Sequence, residues 1–515
     1  MAPITALPSE LFLESILPNI SRHDLCSLAL TCKNLRDIAQ TTLYQSIDIR
    51  WSFTIGSKSP PVHNLLKTLI RRPELALSTH HACFQTDYHP VDPRIGNTAP
   101  IDKRPGNELL LHDTNGLPNA QDLKLLKQTV VDAELPQVDD WIEALSKGSI
   151  SASIALIVSR LLNVKTLEVS IVLQNRRREL YRTPKDPWGP SDSEPDFFGL
   201  MLRQTVLASP SAYITRFKGL EQVRLFTDIE RVLGCPRIDL DQVLPIFYAP
   251  RLKVADVKID DPIDAHRRQS PWSTGQPPRG SDMTSLRLHR SSVNELTLSA
   301  ILPVFPNLTT FEFDYARTYD TIESGDKSIT PGFDGTIIKE AIESCSSSLE
   351  NLRISVQATQ DSGPLRPHFD WWHRSCGDMR SFPVLRSLSI SMVMLLGWYP
   401  NRLPRLADVL PRSLEKLCIE DDCQFQEIGW NDLRIIREFN HFFRTPWTAV
   451  TPKLKLVRLE CPVAYYEWNE PQRRQFQELC SKEGLECEIW KHEMDSTESE
   501  REEEYEQRHD SSDGD

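Results

Sequence analysis

The chain has 515 residues, 39% hydrophobic and 25% charged, with 37 prolines and a formal net charge of −13, a composition that fits a folded chain of two or more domains or one extended solenoid. Residues 493–515 carry 11 acids against Arg501 and Arg508, a balance of −9 that leaves only −4 for the rest. An acidic chain with no basic stripe argues against nucleic acid as the main partner, and no stretch reaches the roughly 18 apolar residues of a membrane helix.

Residues 5–49 hold three stripes at helical spacing. Pro8 suits a first helical turn, where no amide donor is needed, and Glu10 sits near the positive helix end. Leu13, Ile16, Leu17 and Ile20 follow one stripe, which Pro18 bends or ends. Leu7, Leu11 and Phe12 fall off it, so the first helix is apolar on more than one side. Ser21, with Asp24 three residues on, has the form of a capping box and opens a second helix with an apolar face of Leu25, Leu28, Ala29 and Cys32. Leu35, Ile38, Ala39 and Leu43 form the third stripe, and Ile47, Ile49 and Trp51 alternate as a strand does. Spacing alone also fits an ordinary helical hairpin in a core. A unit this small must bury its apolar faces on something, which marks a docking element rather than a catalytic one. One oily flank is expected to stay uncovered until a second protein caps it.

The order Leu7-Pro8, Glu10-Leu11, Ile16-Leu17, Asp24-Leu25, Leu28, Leu30, Cys32 and Leu35 resembles the F-box, close to the N-terminal form common in fungal F-box proteins. Leu43-Tyr44 and Ile47-Asp48-Ile49 are similar to what trails the motif there. Ile20 stands where leucine is usual, and Asn34 where many members carry Trp or another large residue. The resemblance implies that this unit binds the Skp adaptor of an SCF (Skp–cullin–F-box) ubiquitin ligase, and through it cullin. By position, Leu7, Pro8, Leu11, Ile16, Leu17 and Leu25 would lie at or under the adaptor interface.

Between residues 52 and 150, TLIRRPEL and NAQDLKLLKQTV read as helical, and HPVDPRIGNTAPIDKRPGN as a loop with little core-forming power. Beyond residue 150 a pattern recurs of apolar, two variable, apolar, one variable, apolar. It appears as Val164-Leu167-Val169, Leu220-Val223-Leu225, Leu252-Ala255-Val257, Met283-Leu286-Leu288 and Leu308-Phe311-Phe313. It continues as Leu349-Leu352-Ile354, Leu385-Leu388-Ile390, Leu414-Leu417-Ile419 and Leu454-Val457-Leu459. Such triplets arise often by chance, but the lead-ins FPNL, SSSL, FPVL, PRSL and TPKL are turn-forming. Helical stripes lie between them, as at Ile338, Ala341, Ile342 and Cys345, or Leu403, Leu406, Ala407 and Leu410. A helix near 470–482 and Leu485, Cys487 and Ile489 repeat the scheme, while SMVMLLGWY at 391–399 reads as a buried strand or turn.

Alternating strand and helix favour parallel strands with helical crossovers. The pattern resembles an irregular leucine-rich repeat, stretched by polar insertions at 174–196, 260–282, 315–335 and 357–380. The competing architecture is a doubly wound α/β sheet, although no phosphate-binding glycine loop follows any strand.

No Walker-type loop, G-x-S-x-G elbow or H-E-x-x-H helix is present. His80, His81, Cys83 and His89, and separately His368, Asp370, His373 and Cys376, have ligand types without the spacing of a structural zinc site, and read as loops; Cys418 and Cys423 straddle a strand end. Eleven cysteines with no C-x-x-C pair fit a reducing compartment. Glu10, Glu14 and the lack of a basic flank argue against a signal peptide, so the expected location is cytoplasm and/or nucleus. Arg176, Arg177 and Arg178 read as a solvated face. Trp371 and Trp372 either fold back on the body or anchor a partner, as does Trp188. Variable positions between inward apolar residues, namely Thr310, Glu312, Asn351, Arg353, Ser387, Ser389, Lys416 and Cys418, should line a polar concave face of mixed charge that recognises a protein by shape.

The expected fold class is α/β: an F-box at 1–50, a connecting region and poorly matching first repeats at 51–150, a leucine-rich-repeat-like solenoid with parallel strands at 151–492, and a disordered acidic tail at 493–515. The expected role is a non-catalytic substrate-recognition subunit of an SCF-type ligase, or a scaffold acting outside a ligase. No cofactor or metal is expected. Candidate target-binding residues are Arg353, Ser389, Lys416, Trp371 and Trp372.

Overall fold

The computed structural model describes residues 16–52, 61–87, 117–170, 195–210, 212–225, 240–260, 271–272, 275–278, 281–319, 333–360, 372–397, 404–420, 430, 432–461 and 470–491. Leu7, Pro8, Leu11, Trp188, His89, His368, Asp370, Trp371, Arg176–Arg178, Cys423, Leu403 and the acidic tail lie outside these residues. The chain divides into two units, Met1–Met283 and Thr284–Asp515.

Among the described residues the first unit begins with a 3-10 turn at Leu17–Asn19, then α1 (Arg22–Ala29) and α2 (Lys33–Tyr44), followed by strand β1 (Ser46–Ser52). Then come α3 (Val62–Arg71), α4 (Pro73–Ser78), β2 (His81–Asp87), α5 (Ala120–Asp132), α6 (Val138–Ser146), α7 (Ile150–Arg160) and β3 (Thr166–Val169). The unit ends with α8 (Phe197–Leu207), β4 (Gln222–Leu225), the short α9 (Leu240–Val243) and β5 (Val254–Val257). The five strands pair in chain order, every pair parallel and in register. Residues 150–159 of α7 are buried all round, as expected of a helix in mid-core. The Asp122 carboxylate both caps α5 and accepts from Arg71 of α3 at 2.6 Å, fixing one helix on the other.

Among its described residues the second unit has seven strands in one parallel sheet: β6 (Ser285–Ser291), β7 (Thr310–Tyr319), β9 (Asn351–Gln360), β11 (Ser387–Ser391), β12 (Lys416–Glu420), β13 (Leu456–Cys461) and β14 (Glu486–Lys491). Two short strands, β8 (Phe333–Asp334) and β10 (Trp372–Arg374), form a separate parallel pair. Helices α10 (Glu295–Ile301), α11 (Gly335–Glu343), α12 (Met392–Leu396), α13 (Leu406–Val409), α14 (Asp432–Arg444), α15 (Trp447–Val450) and α16 (Glu470–Lys482) connect them.

All nine apolar triplets coincide with strands, and every one of their residues is buried. Side chains in a strand alternate faces, so the second and third anchors point to one side, and the first anchor closes the turn before the strand. Crossovers between parallel strands are right-handed, so strands laid down in chain order put their helices on one face. A doubly wound sheet needs its strand order to reverse, and within each unit it does not.

Three sequence expectations change. The run at 391–396 is not a strand or turn: β11 passes at Ser391 into α12, capped by the Ser391 hydroxyl and buried throughout. Strand β2 takes in His81 and Cys83, read as part of a polar loop, and joins the first sheet between β1 and β3. Two insertions begin as strand, since β7 runs to Tyr319 and β9 to Gln360 and these ends pair with each other. Gly335 starts α11 where a Cβ would stand 2.6 Å from the Cys376 amide nitrogen and 2.7 Å from the Arg374 carbonyl oxygen, so only glycine lets the β8–β10 pair close against the helix. Gly335→Ala should therefore cost about 1–3 kcal/mol as overpacking, read as a fall in denaturant midpoint. An unchanged midpoint would mean this pair is not closed in solution.

Candidate functional site

Two surfaces are candidates: the N-terminal helical module and the strand face that points away from the helices. The module is built on local rules. The Ser21 hydroxyl oxygen accepts from the Asp24 amide at 3.2 Å and donates to its carboxylate at 2.7 Å, starting α1. Arg22 of α1 donates to the Ser46 carbonyl of β1 at 2.6 Å and Arg36 of α2 to that of Ala29 in α1 at 3.2 Å, tying strand and helices together.

The module's core is Leu17, Leu25, Ala29, Leu35 and Ala39, with Ile16, Ile20, Leu28, Ile38 and Leu43 half-buried around it. Of the predicted adaptor positions, Leu17 and Leu25 therefore lie beneath the surface and Ile16 at its edge. Leu30 is 80% exposed, the most open large apolar side chain among the described residues. It was visible in the motif, but spacing cannot separate an outward leucine from a core one. Cys26 and Cys32 are exposed as well, so Cys32 leaves the predicted apolar face and instead precedes α2.

On the second unit's outer strand face, register aligns Arg287, Glu312, Arg353, Ser389, Cys418, Arg458 and Glu488 in one row. Oppositely charged neighbours on adjacent strands pair along it: Arg287 with Glu312 at 3.3 Å and Arg458 with Glu488 at 2.5 Å. Arg353 reaches past the small Ser389 to grip Glu420 with two nitrogens, at 2.6 and 3.3 Å, and Glu460 at 3.3 Å. The Ser389 hydroxyl donates to the same Glu420 oxygen at 2.7 Å. Burial works against the Arg353 charge, yet Glu420 and then Glu460 hold its pKa above the usual value. Arg353 and Ser389, expected as target contacts, are thus committed to neutralising a buried carboxylate. Lys416 is half-buried one row out, aligned with Ser387 and Leu456, and has no partner among the described residues. Cys418 is buried rather than lining the face, and burial pushes its thiol up to about 12.

The first unit carries a shorter version: Asp48, Cys83, Glu168, Arg224 and Asp256 share a row, with Arg224 3.8 Å from Glu168 and 3.6 Å from Asp256. Burial raises Cys83 to about 12 and lowers His80, so neither is poised as a nucleophile or a cation. Among the described residues no three His, Cys, Asp or Glu side chains gather as metal ligands, and no helix is long and apolar enough to cross a membrane.

Two outcomes follow from the row. Replacing Arg353 by Met strands Glu420, whose side chain is only 5% exposed. We expect a loss of about 2–3 kcal/mol, below the roughly 3–5 for a fully buried pair because Arg353 is itself part-exposed. Retained stability would show that water already screens the pair. Asp314 is held above the ordinary carboxyl value of 3.8 by burial, against Arg290 and Arg353. A raised acid holds its proton more tightly folded than unfolded, so its contribution is lost as pH rises through the folded value. Asp314→Asn should raise the melting midpoint at neutral pH, with the gain fading as pH falls toward 3.8; a lowered neutral midpoint would reverse the assignment.

Compared with known families, residues 4–50 match the family model described as F-box-like. No curated protein matches the chain. The helical module with its trailing strand is an F-box-like domain, and it supports reading the chain as an F-box protein.

Proposed function

We propose that the chain is a substrate-recognition subunit of an SCF-type ubiquitin ligase, with its F-box-like module on the Skp adaptor and, through it, on cullin. The observation that carries this reading is the F-box-like match at residues 4–50 on a module whose Leu30 is left in water beside half-buried Leu28. The strand-lined body, read as an irregular leucine-rich-repeat-like solenoid, would hold the target protein. Its support is the in-register strand order with buried triplets. Holding two proteins together makes ubiquitin transfer nearly intramolecular, so the subunit supplies proximity and needs no catalytic group. On this reading it works in the cytoplasm, the nucleus or both.

Covering Leu30 should contribute about 1.5–3 kcal/mol to docking. Leu30→Glu is expected to abolish co-purification of the adaptor while circular dichroism stays unchanged, because the side chain stands mostly in water. Leu25→Glu should instead unfold the module. Adaptor capture undiminished by Leu30→Glu would contradict this docking face, and adaptor recovered without cullin would place the protein outside a ligase.

A further inference from the structure

Helix α14 mounts a row of basic side chains on a rigid base. Ile435, Ile436, Phe439, Phe442 and Phe443 are buried beneath it, and Phe439 meets Phe476 of α16 edge-on at 5.0 Å. Arg434, Arg437, His441 and Arg444 follow one another at offsets of 3, 4 and 3, which gathers them within roughly 80° of the helix circumference. Together with Arg405 and Trp430 they line a cleft of about 490 Å³.

The acid in this cleft is already spent. Glu438 has a side chain only 2% exposed and accepts from the Arg405 guanidinium at 2.7 Å and the Leu406 amide at 3.1 Å. Beside the Arg405–Glu438 pair, the cleft is lined by three arginines and a histidine of α14. Arg437 and Arg444 are exposed and have no ion-pair partner among the described residues. The statement that the chain has no basic stripe is thereby corrected: a chain-wide charge count cannot see three arginines brought to one side of one helix.

We infer that this cleft binds an acidic, oxyanion-bearing segment of the target protein, a proposal that rests on and deepens the target-receptor reading. Guanidinium forks match carboxylate and phosphate alike. Ten residues of helix separate Arg434 from Arg444, roughly 15 Å. That is the length of about five extended residues, so a single phosphate or small anion would leave most of the row unused. The fixed helix keeps ordering costs low. A protein segment is favoured over nucleic acid because the row ends within one helix, too short a basic stripe to follow the backbone of a longer polyanion.

The test uses the full chain and three labelled probes of equal length: a glutamate octapeptide, a phosphoserine-containing octapeptide and a single-stranded DNA octamer, followed by fluorescence anisotropy. At least one peptide is expected to bind, more weakly as salt rises, and which peptide binds better identifies carboxylate or phosphate as the natural group. Arg437→Glu with Arg444→Glu should weaken binding at least about tenfold, as should the milder pair Arg437→Gln with Arg444→Gln. The same charge reversal at exposed Lys124 and Lys218 should change it less than twofold. No peptide binding, or binding indifferent to the arginine changes, overturns the proposal, and so does DNA held more tightly than both peptides. Adaptor capture measured on the same samples separates the two ideas: intact capture without peptide binding removes only the cleft, and lost capture with peptide binding removes only the ligase role.

Discussion

The fold rests on one repeated constraint: three apolar residues per strand must be buried while the strand pairs, parallel and in register, with the strand before it. A slip of one residue would turn every buried anchor outward. Five strands in one unit and seven in the other keep the register without such a slip across their anchors. Because the order of the described strands does not reverse within a unit, they form no switch-point crevice of the kind that hosts ligands in doubly wound sheets. What the body offers instead is surface, on the strand face and on the helices behind it.

The strand face pays for its charges internally. Carboxylates such as Glu420, nearly out of water, are stable only because Arg353 crosses two strands to meet them. A face neutralised in this way holds few free cations for a partner, and Lys416 is the candidate it leaves open. The helix side differs. In α14 the acid Glu438 is taken up by Arg405, and exposed Arg437 and Arg444 meet no carboxylate among the described residues. Charge is therefore available on α14 and mostly consumed on the strand face of the second unit.

Much of the fold was legible because burial and periodicity are local. The triplets marked β3 to β7, β9 and β11 to β13, since apolar anchors must recur at fixed offsets to share a core, while the short pair β8 and β10 carries no such anchors. Strand β2 escaped because its first anchor is Thr79, fully buried but polar, with a hydroxyl that donates to the carbonyls of Tyr44 and Leu75. Its Ala82 and Phe84 complete the same pattern. Helix α12 was misjudged because an unbroken apolar run has no period to read. The site was less legible, for a different reason. Arg353 looked like a free surface cation because its partners lie 67 and 107 residues away in sequence, and Leu30 looked like any other leucine of a helical motif.

The central claim is that the outer flank of the F-box-like module is completed by the Skp adaptor. Hydrogen–deuterium exchange of the full chain, with and without purified adaptor, tests it most directly. The account predicts slowed exchange over the amides of residues 22–44, strongest around Leu28–Cys32, with the strands of the second unit unchanged. Unchanged exchange across α1 and α2 at saturating adaptor, or protection confined to the strand-lined body, would contradict it.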